Sequence, residues 1–442
     1  MKSYHNLARH EGNRQLFEVV EMGVISSLWE APLHIHAEGL RGTGKTTVMR
    51  AVKDLLLPME RIKGCLYNCH PHHPHCPHHR NLNREEVEAV GTEVIPRPFL
   101  EISHTAKTGT VAGSIDLARI TDTTRSEAAL LPGIIPQAHR GIIFIDEINR
   151  LADTAPEITD ILLDVMGTKP GRIQIEETGL PVVEIPVQVS VWAASNPDEE
   201  PGPLQEIRRQ LSDRFDLVID MGRSKDPDAI AQILIQSETA RKNPYLKPVK
   251  TEPAEKRYSQ EMEDIAHRYR NLEMPDFLRN YIARTYVKYD LESLRAIEAV
   301  QHGALLSCAL RRGEKVLISD ILKIIPLALQ HRTDRATLAK IMAGSDNSFS
   351  YKEEKGNGSD SNNNRPTTGI LSSQEDTETL SAEAPAKAMA DKSLFAPLKQ
   401  LLGSRPKPAN ADEITTSPPG QARRITEVDG DNLLKTETQL RS

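Results

Sequence analysis

The octapeptide GLRGTGKT, Gly39 to Thr46, restricts the fold of this chain more than any other stretch. It fits the pattern G-x-x-x-x-G-K-[ST], with the apolar run PLHIHAEG leading in and the helical run TVMRAVKDLL leading out. Glycines let successive backbone N–H groups turn inward, and the start of the following helix adds its positive end, so the turn becomes a cradle for phosphate oxygens. The cradle is expected to comprise Gly39, Leu40, Arg41, Gly42, Thr43 and Gly44, continuing into Lys45, Thr46 and Thr47. Lys45 is expected to reach the β- and γ-phosphates of ATP, and Thr46 to offer its hydroxyl to Mg²⁺. Such a strand–turn–helix unit belongs in an α/β fold around a mainly parallel sheet.

About a hundred residues on, RGIIFIDE reads as a second strand, wholly apolar until it closes on Asp146 and Glu147. Acids at the end of a buried parallel strand emerge at the carboxyl edge of the sheet, where ligands of open α/β sheets sit. Asp146 is expected to help hold the magnesium, and Glu147 to orient and deprotonate an attacking water. A third strand candidate, VQVSVWAASN, ends on Asn196, a polar side chain suited to positioning the same water. Between these strands GRIQIEETGLPVVEIP reads as a hairpin over 171–186.

Composition bounds the rest. The chain has 442 residues, room for two or three domains, and a formal net charge of -7 that argues against a general nucleic-acid binder. Its start, MKSYHNLARHEGNRQ, lacks the apolar run of a signal peptide, and no window is long and apolar enough for a membrane span. Four cysteines, three of them crowded together, suit a reducing compartment, so the expected location is the cytoplasm. We expect a nucleotide-binding domain over 1–222 and a helical domain over 223–343. Residues 344–442, rich in Ser, Asn, Gly, Pro and charge, are expected to be a disordered tail. Within that tail LFAPLKQLLG, 394–403, is a short apolar patch.

The order of phosphate loop, acidic strand, polar Asn196 and QLSDRF resembles the AAA+ superfamily of ring-forming ATPases. Within it the stretches GTVAGSIDLAR, LLPGIIPQAHRGIIFIDEINRL, ITDILLDVMGTKPGRIQIE and SNPDEEPGPLQEIRRQLSDRFDL resemble the I subunit of magnesium chelatase. The resemblance implies a three-layer αβα core with a helical lid. It also implies an insert in the second helix at about 99–135 and a hairpin before the sensor strand. It identifies Arg214 with the arginine finger that reaches a neighbour's nucleotide, Arg208 with a second arginine of that segment, and Arg295 with the sensor-2 arginine of the lid. The implied partners are other copies of the chain in a ring, six by analogy with the family, a D-like protein with an integrin-like (VWA) domain, and a porphyrin-binding chelatase subunit. A related reading is a MoxR-type chaperone ATPase that works with a VWA partner on another target. AKTGT stands where the family has an acidic pair before VAGSIDL.

One stretch lies outside this machinery. GCLYNCHPHHPHCPHHR, 64–80, holds three of the four cysteines and six of the fifteen histidines. Cys65, Cys69 and Cys76 are spaced C-x₃-C-x₆-C, and relatives carry a cysteine cluster here that often ends in C-x-x-C, a place His79 takes in this chain. A Cys₃His set suits a closed, structural Zn²⁺ site. An iron–sulfur cluster, a flexible histidine-rich loop and a metal-delivery loop are the alternatives at the level of sequence.

Overall fold

Parallel pairing of short, buried strands builds the core of this computed structural model, which describes residues 4–115, 130–175, 182–242 and 252–349. The strands are β1 (Ile35–Gly39), β2 (Met59–Ile62), β3 (Thr92–Ile95), β4 (Phe99–Ile102), β5 (Gly113–Ile115), β6 (Leu130–Pro132), β7 (Ile142–Asp146), β8 (Gly171–Ile175), β9 (Val183–Val187), β10 (Ser190–Ser195) and β11 (Leu217–Met221). Five of them form one sheet in the order β11-β1-β10-β7-β4, and every neighbouring pair in it is parallel. The other six pair antiparallel as β2–β3, β5–β6 and β8–β9.

Alternation explains the unbroken apolar runs. On β7, Ile142 and Phe144 face one core while Ile143 and Ile145 face the other; on β10, Trp192 and Ala194 oppose Val191 and Ala193 in the same way. A strand covered on both sides has no face left for polar residues. Each fully buried Ile or Phe contributes roughly 1.5–3 kcal/mol, so these two strands anchor the domain. The helix Glu11–Leu28 lies close against the first face, where Gly23 meets the Trp192 ring with no space for a Cβ.

Register brings the chemistry to one edge. Glu38 pairs with Ser195 and Ala194 pairs with Asp146, so β1, β10 and β7 end together. The loop after β1, the acids closing β7 and Asn196 after β10 therefore leave the sheet side by side.

Beyond β11 the chain is helical: Pro227–Lys242, Glu252–Asn271, Asp276–Lys288, Leu294–Leu310, Ile318–Leu329 and Arg335–Phe349. Gly303 lets Leu294–Leu310 pack tightly on Ile324 of the next helix, since a Cβ there would stand 2.6 Å from its side chain. Arg332 ties this bundle to the sheet domain. Its side chain is 5% exposed and donates to the Asp213 carboxylate at 3.0 Å, and also to the carbonyls of Asp213, Phe215 and Ala328.

Two sequence-based boundaries move. Residues 99–102, expected to open the insert, form the edge strand β4 of the central sheet. Pro96 and Pro98 precede this strand, and an edge is where a sheet tolerates chain that cannot donate on both sides. The last described helix continues to Phe349, past the boundary expected at 343. The remainder of the expected tail, including 394–403, lies outside the described residues, as do 116–129 of the insert.

Candidate active site

At the carboxyl edge of the sheet lies a cavity of about 270 Å³, lined by Arg41, Gly42, Gly44, Lys45, Thr46, Thr47, Asp146, Glu147, Ser195, Asn196 and Glu199. Gly42 and Gly44 adopt φ of +78° and +92°, left-handed values that a side chain would strain, and this is why glycine is needed at those two turns. Gly44 then starts the helix Lys45–Ala51, whose first N–H groups face the cavity end of the loop. The Lys45 ammonium donates to the carbonyls of Gly39 at 2.5 Å and Leu40 at 2.8 Å. Burial lowers the Lys45 pKa, opposed by the negative charges of Asp146 and Glu199.

Thr46 donates its hydroxyl to Asp146 at 3.0 Å, joining two residues a hundred positions apart. A hydroxyl beside a carboxylate is an all-oxygen donor set, the kind Mg²⁺ takes alongside phosphate oxygens and water. Asp146 also lies 3.4 Å from the guanidinium of Arg50, which reaches Glu101 on β4 at 2.9 Å. Glu147 sits at φ +56°, a left-handed position uncommon for a residue with a side chain, at the start of the helix Ile148–Thr154. Its carboxylate is 3.1 Å from Arg150, one helical turn on. Asn196 Oδ1 is buried with no hydrogen-bond partner among the described residues. A buried acceptor of that kind awaits a donor such as water.

Behind the cavity, His36 on β1 is 2.9 Å from the Ser195 hydroxyl. Burial lowers the His36 pKa to about 3, with the Lys45 charge adding to the effect, so the imidazole is neutral. Its 3.5 Å approach to Glu38 is accordingly not an ion pair. Burial raises Glu38 to about 7, reinforced by Asp220, its cross-strand neighbour on β11.

The three expected arginines do not line this cavity. Arg214 ends the helix Arg209–Arg214, with Nη1 buried and unpartnered among the described residues. Arg295 donates to the Gly167 carbonyl at 3.0 Å and lies 3.6 Å from Asp213, the residue before Arg214. Arg208 faces Asp160 at 3.7 Å. Arg214 and Arg295 thus flank Asp213.

Sequence reasoning passed over Arg50, Arg150, Ser195 and Glu199. Glu199 bonds Arg41 at 3.1 Å and lies 3.5 Å from Arg150, closing the cavity rim. Arg150 was within reach of the sequence, since a residue three positions after an acid at a helix start shares its face. The contacts of Arg50 and Glu199 depend on strand order and carry no local signal.

Away from the cavity, Cys65, Cys69, Cys76 and His79 converge, with one donor atom from each lying within 4.8 Å of all the others. All four cysteines of the chain are free thiols. No helix among the described residues is long and apolar enough to cross a membrane.

Residues 279–347 match the family profile of the AAA lid domain. The chain is 30% identical over 318 residues to the magnesium-chelatase subunit ChlI of Mesostigma viride, covering 70% of this chain and 82% of that one. The ChlI subunit of Nephroselmis olivacea is 29% identical over 309 residues, with 69% and 83% covered. The magnesium-chelatase 38 kDa subunit of Acidiphilium rubrum is 28% identical over 311 residues, with 70% and 86% covered. A solved structure from Cytophaga hutchinsonii aligns at a TM-score of 0.49 and 15% identity, over 77% of this chain and 91% of its own.

Proposed function

Given that the chain belongs to the magnesium-chelatase subunit ChlI family of AAA+ ATPases, we propose that it is a ring-forming motor that hydrolyses ATP to drive metal insertion into a tetrapyrrole. The observation that carries this reading is the convergence of Lys45, the Thr46–Asp146 pair, Glu147 and Asn196 in one cavity at the sheet edge. Lys45 and the N–H groups of the 39–46 loop hold the phosphates. Thr46 and Asp146 would hold Mg²⁺, which would offset charge on the phosphate oxygens. Glu147 takes the proton of the attacking water, and Asn196 Oδ1 accepts the water's other hydrogen. Arg150 keeps the Glu147 carboxylate aimed.

The arginines complete the site from a second copy. Neither Arg214 nor Arg295 lines this copy's cavity, and Arg295 lies against Asp213, the residue before Arg214, so a head-to-tail arrangement would present them to a neighbour's phosphates and close into a ring, six copies by family analogy. An arginine delivered in this way offsets charge on the transferred phosphoryl. Arg208, held by Asp160, would brace the same interface. The free thiols suit a reducing cytoplasm. The complex would add a VWA-domain partner and a porphyrin-binding subunit.

The test couples turnover to partner identity. Purified full chain should hydrolyse ATP with Mg²⁺ in a protein-concentration-dependent way, and tagged chain carrying Glu147→Gln should retain the partner complex from native lysate. Co-purification of a tetrapyrrole-binding enzyme supports the chelatase reading. Recovery of a VWA protein with a different client transfers the motor to the chaperone reading, and absence of ATP turnover removes both.

A further inference from the structure

We propose that Cys65, Cys69, Cys76 and His79 bind one Zn²⁺ in a closed structural site that clamps the 64–80 loop to the returning arm of the insert. The spacing of the donors supports this. Tetrahedral zinc with Zn–S bonds of about 2.3 Å holds its sulfurs about 3.8 Å apart, and Cys65 Sγ lies 4.0 Å from Cys76 Sγ. His79 Nδ1 lies 3.2 Å from Cys76 Sγ. Four donors packed this tightly leave room for a single ion, whereas an iron–sulfur cluster needs its ligands spread around several atoms.

The surroundings are those of ligands rather than spare thiols. Cys69 Sγ accepts from the backbone N–H groups of His75 at 3.4 Å and Cys76 at 3.3 Å, and Cys65 Sγ accepts from Cys69 N–H at 3.5 Å. Such N–H donors orient thiolates and offset their charge, as the outer contacts of metal ligands do. The three cysteines are at most 2% exposed, although the loop has little apolar side chain to bury apart from Tyr67 and its Leu66 is 57% exposed. Zinc binding by three thiols releases their protons to solvent, and with neutral imidazole it leaves a site of net charge about -1.

What the site would hold is specific. Asn68 donates to the Gln137 carbonyl at 2.6 Å, and the Tyr67 hydroxyl donates to the Leu130 carbonyl at 3.2 Å. The His75 ring stacks on His139 with centroids 3.8 Å apart. Leu130 to His139 is the segment that enters β7, the strand carrying Asp146 and Glu147. The metal would therefore fix the insert's base next to the catalytic strand.

Elemental analysis of the purified full chain tests this, with about one zinc per chain expected. Replacing Cys65 and Cys69 together with Ser should remove the zinc while a fluorescent ATP analogue still binds, which separates loss of the site from loss of the fold. His79→Gln should lower zinc content, and His75→Gln should not. If the cysteine variants are insoluble, cobalt-loaded wild type decides, because only a tetrahedral thiolate site gives intense visible bands with sulfur-to-cobalt charge transfer. Chelator-treated chain should exchange amide hydrogens faster over 64–80 and 130–139 and unchanged over 35–51. Zinc at full stoichiometry in the double Ser variant overturns the site. So does zinc that is lost only when His70, His72 and His73 are replaced, which marks adventitious histidine binding. Wild type that neither carries nor accepts zinc after reduction overturns it as well, and unchanged exchange after chelation overturns the clamp.

Discussion

Arg295, on the first turn of a lid helix, lies 3.6 Å from Asp213 and so stands beside Arg214 instead of in the nucleotide cavity of its own chain. Asp213 is shared by Arg295 and Arg332, and Arg214 Nη1 has no partner among the described residues, so positive charge is left over there. A neighbour's triphosphate is a suitable counterpart, and this makes the division of labour between copies open to experiment.

Mixing variants tests that division. Glu147→Gln should retain ATP and lower turnover roughly 10²- to 10⁴-fold, the usual contribution of a positioned base. Arg214→Ala should bind ATP normally as a monomer and lose roughly 10³- to 10⁵-fold in the assembled form. Each variant lacks a different half of the shared site, so mixed rings should regain turnover. Mixed rings that assemble and remain inactive would place Arg214 outside the neighbour's site.

Lys45→Ala isolates the phosphate grip. The lysine's hydrogen bonds to a charged partner are each worth about 1.5–3 kcal/mol, so ATP affinity should fall roughly 10- to 100-fold. Thermal stability should change little, because among the described residues the Lys45 ammonium bonds only the loop carbonyls of Gly39 and Leu40. Calorimetric titration with ATP reads the effect, and unchanged affinity would move the triphosphate out of this loop.

Glu38 gives the chain a pH dependence with an unusual sign. Its folded pKa of about 7 lies above the reference 4.5, so between those values the folded chain binds more protons than the unfolded chain. Stability from this group is present at low pH and is lost as pH rises towards 7, by up to about 3 kcal/mol at 1.36 kcal/mol per pKa unit. Glu38→Gln should abolish that loss and be the more stable protein above pH 7. Urea unfolding of both proteins across this range reads it, and parallel pH profiles would refute it.

Arg332→Ala should loosen the lid. The side chain is nearly buried and serves one carboxylate and three carbonyls, so removing it leaves Asp213 without its best partner. Breaking such a pair costs about 3–5 kcal/mol when fully buried, and Asp213 is 30% exposed, so the lower end applies. Faster proteolysis between the sheet domain and the lid should accompany the lost stability. A melting temperature equal to wild type would mean that apolar packing alone seats the lid.

The residues that a local pattern could place were those whose chemistry is set by chain neighbours. Glycines 42 and 44 need left-handed backbone, the apolar runs of β1, β7 and β10 need cover on both faces, and Asp146 and Glu147 follow at a strand end; each is written within a few residues. The cysteine spacing likewise named three of the four residues that converge, and the resemblance to relatives supplied His79. Strand order, by contrast, exists only in three dimensions. It made an edge strand of 99–102, too short to announce itself, and it brought Glu101 to Arg50 and Glu199 to Arg41. The seating of the lid decided the rest, since it turned Arg295 towards Asp213 through contacts more than eighty residues apart in the chain. Backbone sterics and burial periodicity act over a turn or a strand and can be read in order; ion pairs and packing between distant segments depend on the path of the whole chain, and sequence proximity carries no record of them.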